Sequence, residues 1–198
     1  MHFVEEYLNE SKRIIDFISI EEIERVVNTL VEIRKSGGRL FLIGSGGGAG
    51  HASHAVCDFR KLCNIEAYAP YDNISELTAR INDEGWEVSI VNWLRGSRFN
   101  AKDGLFVFSV GGGSLEKNIS SNIVRAIEYA KSINAKVVGI VGKDGGYTKR
   151  IGDAVILVPL VNDNRATPHT EGFQALLWHL LVTHPSLQIN PTKWESTK

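Results

Sequence analysis

Three features of the sequence predict an α/β fold: a doubly wound, five-stranded parallel sheet flanked by helices, with a helix pair ahead of it. Five short apolar runs, residues 40–43, 65–68, 104–110, 136–141 and 154–158, have strand length. Helical stretches separate them, and such alternation builds one parallel sheet with helices on both faces. Two of the runs empty into glycine-serine loops, residues 44–50 and 111–114, and ligands bind at this carboxyl edge of such sheets.

Taken in order, residues 3–18 place Phe3, Val4, Tyr7, Leu8, Ile14, Ile15 and Ile18 on a helical stripe. Ser19 and Glu22 read as a capping box for a second helix, whose face carries Ile23, Val26, Val27, Leu30 and Val31 and which stops at Gly37-Gly38. Its apolar surface suits either its own sheet or another subunit. After the first strand and loop, a helix is expected from His51 past Arg60. Asn73 caps a further helix through Leu77 and Ile81, and residues 86–94 suggest another despite their β-branched content. The strand at 104–110, its loop, and a helix through Ile123, Ala126, Ile127 and Ala130 repeat the first architecture. Residues 170–183 close the chain as a helix with Pro168 near its start. The expected organisation is one domain, 1–198, with N-terminal helices over 1–36, an α/β core over 37–184 and a tail over 185–198.

Composition narrows the function. The 198 residues are 43% hydrophobic, enough for one buried core, and the formal net charge of −1, without a basic run, argues against a nucleic-acid footprint. Cys57 and Cys63 read as free thiols of a reducing compartment. The acidic, amphipathic N-terminus differs from a signal peptide and no apolar run reaches membrane-spanning length, so a cytoplasmic protein without membrane or nucleic-acid partners is expected.

The chemistry centres on the first loop. Ser45, Gly46, Gly47 and Gly48 lead from a strand into a helix, whose free N–H groups and dipole favour an anion. The loop lacks the Gly-Lys-Ser/Thr of a Walker motif, and a dinucleotide fingerprint lacks its acidic partner. A tight-turn role for the glycines is the plain alternative. His51, His54 and Asp58 follow at helical spacing on one face. The second loop, Ser109, Gly111, Gly112, Gly113 and Ser114, lies at the same sheet edge, so two loops can serve one phosphorylated ligand. Neither contains Lys or Arg, which points to neutral donors.

The set resembles the SIS (sugar isomerase) domain family, and within it the phosphoheptose (sedoheptulose 7-phosphate) isomerases. The likeness rests on the N-terminal helix pair, the loop opened by Gly44-Ser45-Gly46-Gly47, His54 four residues before an acid, Asn82-Asp83, the 109–114 loop, the Gly142-Lys143-Asp144-Gly145-Gly146 run followed by Asp153, and His179. It implies a flavodoxin/Rossmann-like SIS fold, a homotetramer with active sites at subunit interfaces, a phosphosugar substrate and a zinc ion. By position, the metal set falls on His54, Asp58, Glu171 and His179, the acid-base set on Glu171, His179 and Asp58, and the substrate set on the two loops with Asn82 and Asp83. The chain departs from the family pattern in carrying Asp58 for Glu, Glu171 for Gln, Gly48 for a phosphate-loop serine, and glycines in the second loop.

Aldose–ketose isomerisation needs a base over two adjacent carbons and an acid or metal at the oxygens. Of the two acids, Glu171 is expected to move the proton while His54, Asp58 and His179 hold the metal, His179 serving as the acid where no metal is bound. Glu171 and His179 stand about 12 Å apart along a helix, so either long side chains converge or two subunits contribute. A sensing or partner-binding SIS protein without turnover, and an isomerase of another phosphosugar, are the competing readings. Four ionisable positions favour an enzyme.

Overall fold

The computed structural model describes residues 2–193. Helices α1 (Phe3–Phe17) and α2 (Ile20–Lys35) lead into β1 (Leu40–Gly44), α3 (Gly47–Cys63) and β2 (Ala67–Tyr68). A short 3-10 turn (Pro70–Asp72) precedes α4 (Ile74–Glu84), α5 (Trp86–Gly96), β3 (Gly104–Ser109), α6 (Ser121–Ser132) and β4 (Lys136–Val141). Then come α7 (Gly146–Ile151), β5 (Ala154–Leu157), a second 3-10 turn (Asp163–Arg165) and α8 (Ala166–Thr183). The five strands are all parallel in the order β2-β1-β3-β4-β5. The order reverses between β1 and β3, so both glycine loops flank the switch point.

Strand alternation divides the core. Leu40, Leu42, Phe106 and Phe108 face a layer formed with α2, α3 and α8, whereas Phe41, Ile43, Leu105 and Val107 face α5 and α6. The apolar stripe of α2 (Ile23, Val26, Val27, Leu30, Ile33) is buried in the first layer, so this helix covers its own sheet. Helix α1 buries Ile14 but leaves Phe3, Val4, Leu8, Ile15 and Phe17 exposed. Among the described residues, no helix is long and apolar enough to cross a membrane.

Several expected boundaries move. Helix α3 starts at Gly47, four residues before His51, because Gly46 turns the chain with φ of 58°. Helix α8 starts at Ala166, with Pro168 in the first turn, where no intrahelical N–H is required. The capping box is only half made. Ser19 Oγ accepts from the Glu22 N–H, but the Glu22 carboxylate pairs with Lys149 Nζ and accepts from the Leu157 N–H, tying α2 to β5 and α7. The second glycine loop does not enter α6 directly. Ser114 and Ile119 exchange backbone hydrogen bonds of 2.9 and 3.0 Å, closing a small hairpin between loop and helix.

Candidate functional site

Helices α3 and α8 lie side by side and run in the same direction. Glu171 stands at the start of α3, His179 faces the His54–Asp58 turn, and the Cys63 thiol reaches the Val182 carbonyl at 3.6 Å. This pairing, absent from any local sequence pattern, builds the site.

His54, Asp58 and His179 offer three ligand atoms within 4.8 Å of one another. Asp58 Oδ2 lies 4.0 Å from His54 Nε2 and 3.9 Å from His179 Nε2. The Ala175 carbonyl, 2.8 Å from His179 Nδ1, only accepts, so it fixes the proton on Nδ1 and leaves the Nε2 lone pair toward Asp58. Buried Trp178 packs against both imidazoles, with ring centroids 4.6 Å from His54 and 3.5 Å from His179. Two imidazoles and a carboxylate form a donor set suited to zinc with positions left for ligands, so these residues fit the expected metal. The imidazoles are more than half exposed, and along α3 His54 and Asp58 lie about 10 and 16 Å from Gly47.

Glu171, expected among the metal ligands, stands outside the trio. Eight residues before His179 on a straight helix, it is held two turns back, and its carboxylate packs on Gly47; a Cβ there would come within 2.4 Å of it. This puts an anion at the positive end of α3. The half-buried His51 ring is its neighbour: burial pushes the imidazole pKa below its ordinary value, and the Glu171 carboxylate opposes that shift. His51 was visible in sequence only as one of three helix residues on a face.

The loops are tightly built. Tyr71 Oη donates to the Gly44 carbonyl and accepts from the Gly44 N–H at 2.9 Å, and burial raises this phenol to about 12. Gly48 is buried against β3, whereas Ser45, Gly46 and Gly47 are exposed. Ser109 Oγ is turned inward and accepts from the Gly112 N–H at 3.0 Å. The Gly112 and Gly113 carbonyls accept from Thr148 and Tyr147, pinning the loop to α7. Ser114 Oγ accepts from the Lys117 N–H at 3.2 Å.

Asn82 and Asp83 end α4, exposed and hydrogen-bonded to each other at 2.8 Å. One turn on, Glu87 accepts from Asn118 at 3.3 Å, which ties α5 to the hairpin. Beside the second loop opens a cleft of about 580 Å³ carrying Lys117, Lys143 and Arg150. The loops themselves contain no Lys or Arg, but at this edge the fold brings cations up from outside them.

The SIS domain model matches residues 6–142. The chain belongs to the SIS domain family. Among relatives of this SIS protein, lincomycin biosynthesis protein LmbN of Streptomyces lincolnensis is 30% identical over 91% of the chain and 68% of the relative. Phosphoheptose isomerase of a Nitratiruptor species is 31% identical over 77% of the chain and 79% of the relative. The fold superposes on phosphoheptose isomerase GmhA from Neisseria gonorrhoeae with a TM-score of 0.78, covering 90% of this chain and 95% of that one at 24% identity. The SIS protein is thus phosphoheptose isomerase-like in sequence and fold.

Proposed function

We propose that this SIS protein is a phosphosugar aldose–ketose isomerase, with sedoheptulose 7-phosphate as substrate and D-glycero-D-manno-heptose 7-phosphate as product. The observation that carries the reading is the placement of the Glu171 carboxylate at the glycine loop and of the His54–Asp58–His179 trio farther along the same helix pair. The phosphoheptose isomerase relatives support the substrate class.

Glu171 removes the proton from one carbon and returns it to its neighbour through an enediol, at the strand edge where a ligand in the loops would lie. His51, neutral because it is partly buried, gives that carboxylate a polar neighbour without fixing it in a strong ion pair. His54, Asp58 and His179 would hold a divalent ion, zinc first, which supplies Lewis acidity toward the substrate oxygens. With no ion bound, His179 acts as the acid, its tautomer set by Ala175. The Ser45–Gly48 and Ser109–Ser114 loops, with Asn82 and Asp83, bind the substrate. Because the two imidazoles are exposed and the trio lies about 10–16 Å along α3 from Gly47, sites shared between subunits of a homotetramer fit the geometry better than a site within one chain. The protein works in the cytoplasm.

The test compares Glu171→Gln with Asp58→Asn after incubation with sedoheptulose 7-phosphate, following products by NMR and bound metal by elemental analysis. Glu171→Gln is expected to abolish turnover while metal stays, and Asp58→Asn to lose metal. Full activity in Glu171→Gln, with Asp58→Asn inactive but metal-loaded, reverses the assignment. No turnover by the folded, metal-loaded wild type on any phosphoketose defeats the enzyme reading.

A further inference from the structure

The cleft between the 114–119 hairpin, the β4–α7 turn and the start of α8 contains charges that neither the trio nor the glycine loops account for. Its volume of about 580 Å³ lies in the range of small-molecule sites. Lys117 enters from the hairpin, Lys143 from the turn and Arg150 from α7. Neighbouring cations are neutralised within the chain: Lys149 pairs with Glu22, and Lys131 with Asp153 at 3.0 Å. Among the described residues, Lys117, Lys143 and Arg150 make no such pair; Arg150 only leans over the Tyr147 ring, 5.9 Å from its centroid.

We infer that these three cations bind the anionic end of a phosphorylated polyhydroxy ligand, so that charge does here what loop hydroxyls alone would not. The inference rests on the phosphosugar reading for the identity of the ligand.

The rest of the lining selects that class. Glu116, Asp144 and Asp163 share the cleft with the cations. Asp144 is partly engaged, accepting from the Gly146 N–H at 3.1 Å. Carboxylates only accept hydrogen bonds when ionised, which suits the hydroxyls of a sugar chain, while the cations give charge-assisted bonds to phosphate. A polyanion such as a nucleic-acid backbone would meet those carboxylates unfavourably, and an unphosphorylated sugar would leave the cations unanswered.

The walls are rigid. Gly112 has φ of 67° and lies so close to the turn that a Cβ would fall 1.9 Å from the Gly145 carbonyl oxygen. Lys143 holds φ of 53° in that turn, and the hairpin is closed by its own Ser114–Ile119 bonds. The cations therefore project from backbone that is fixed before a ligand arrives, which lowers the ordering cost of binding.

Calorimetry with inorganic phosphate, sedoheptulose 7-phosphate and unphosphorylated sedoheptulose tests the inference on wild type, Lys117→Ala, Lys143→Ala and the double variant, at low and high salt. Each removed charge is expected to weaken both phosphate probes about tenfold, to leave unphosphorylated sedoheptulose unaffected, and to flatten the salt dependence. Lys143→Arg is expected to restore most of the loss. In turnover assays the loss should fall on KM rather than kcat. Unchanged phosphate affinity in the folded double variant overturns the inference and leaves the isomerase reading standing. A wild type that binds phosphate through these lysines but turns over no phosphoketose leaves the cleft standing and defeats the isomerase reading.

Discussion

Gly48 stands where the family pattern has a phosphate-loop serine, and returning a side chain there should harm the protein rather than improve it. A Cβ on Gly48 would lie 2.6 Å from the Phe108 carbonyl oxygen and 3.3 Å from its carbon. That is roughly 1 Å short of ordinary contact, and the obstacle is the backbone of a central strand, which cannot turn aside as a side chain can. Overpacking of this kind costs about 1–3 kcal/mol. For a chain of this size each kcal/mol lowers Tm by about 2–4 °C, so Gly48→Ala and Gly48→Ser should melt roughly 2–12 °C below wild type in calorimetric scans. Separation of α3 from β3 should also shift Glu171 and weaken turnover. Gly50→Ala is the control: a Cβ there meets nothing within 4 Å, and removing a helical glycine should stabilise by about 0.5–1 kcal/mol. A Gly48→Ser protein with wild-type Tm and faster turnover would refute the packing argument.

Two further outcomes follow from α1. Glu10, buried, accepts from Arg165 and Asn162 and meets His169 at 2.8 Å; hydrogen bonding from Arg165 above all, then from His169, holds its carboxyl well below the usual range, at about 2. A depressed pKa means stability that is complete above the unfolded value of 4.5 and lost as pH falls toward 2, so the Tm gap between wild type and Glu10→Gln should shrink over that window; a constant gap would contradict the linkage. On the proposed assembly the exposed Phe3, Val4, Leu8 and Ile15 face lies between subunits, so wild type should scatter light as a tetramer and Leu8→Glu as smaller species, and a wild type that is an active monomer would remove that role.

The sheet was legible because each buried strand is a short apolar run between glycine or polar breaks, and a five-residue strand such as Leu40–Gly44 leaves little room for another reading. The helices of the first layer were legible from their stripes. His54 and Asp58 were readable as one face because they lie one helical turn apart, and the resemblance supplied His179. What local pattern cannot supply is the pairing of α3 with α8, which sets His179 beside Asp58 but leaves Glu171 two turns back at Gly47. Glu22 shows the same limit: its spacing from Ser19 announces a cap, yet the long-range partners Lys149 and Leu157 take its carboxylate. The cations of the cleft were hidden because they come from three separate segments, none of them basic as a run.

The glycines that first suggested a phosphate cradle have a second reason to be glycine. Beside Gly48, a Cβ on Gly44 would lie 2.4 Å from Gly48 backbone, one on Gly112 would strike Gly145, and one on Gly146 would lie 2.1 Å from the Gly111 carbonyl oxygen. At Gly44, Gly48 and Gly112 the loops are thus folded against neighbouring backbone so closely that side chains are excluded, and several loop carbonyls and N–H groups already have partners in Tyr71, Ser109, Tyr147 and Thr148. Tight packing fixes loop geometry, but it also reduces the number of hydroxyls and amides that remain to meet an anion. Lys117, Lys143 and Arg150 stand at the edge of the glycine-rich 111–114 loop. On the reading proposed above, the loops provide shape, and residues outside them provide the charge.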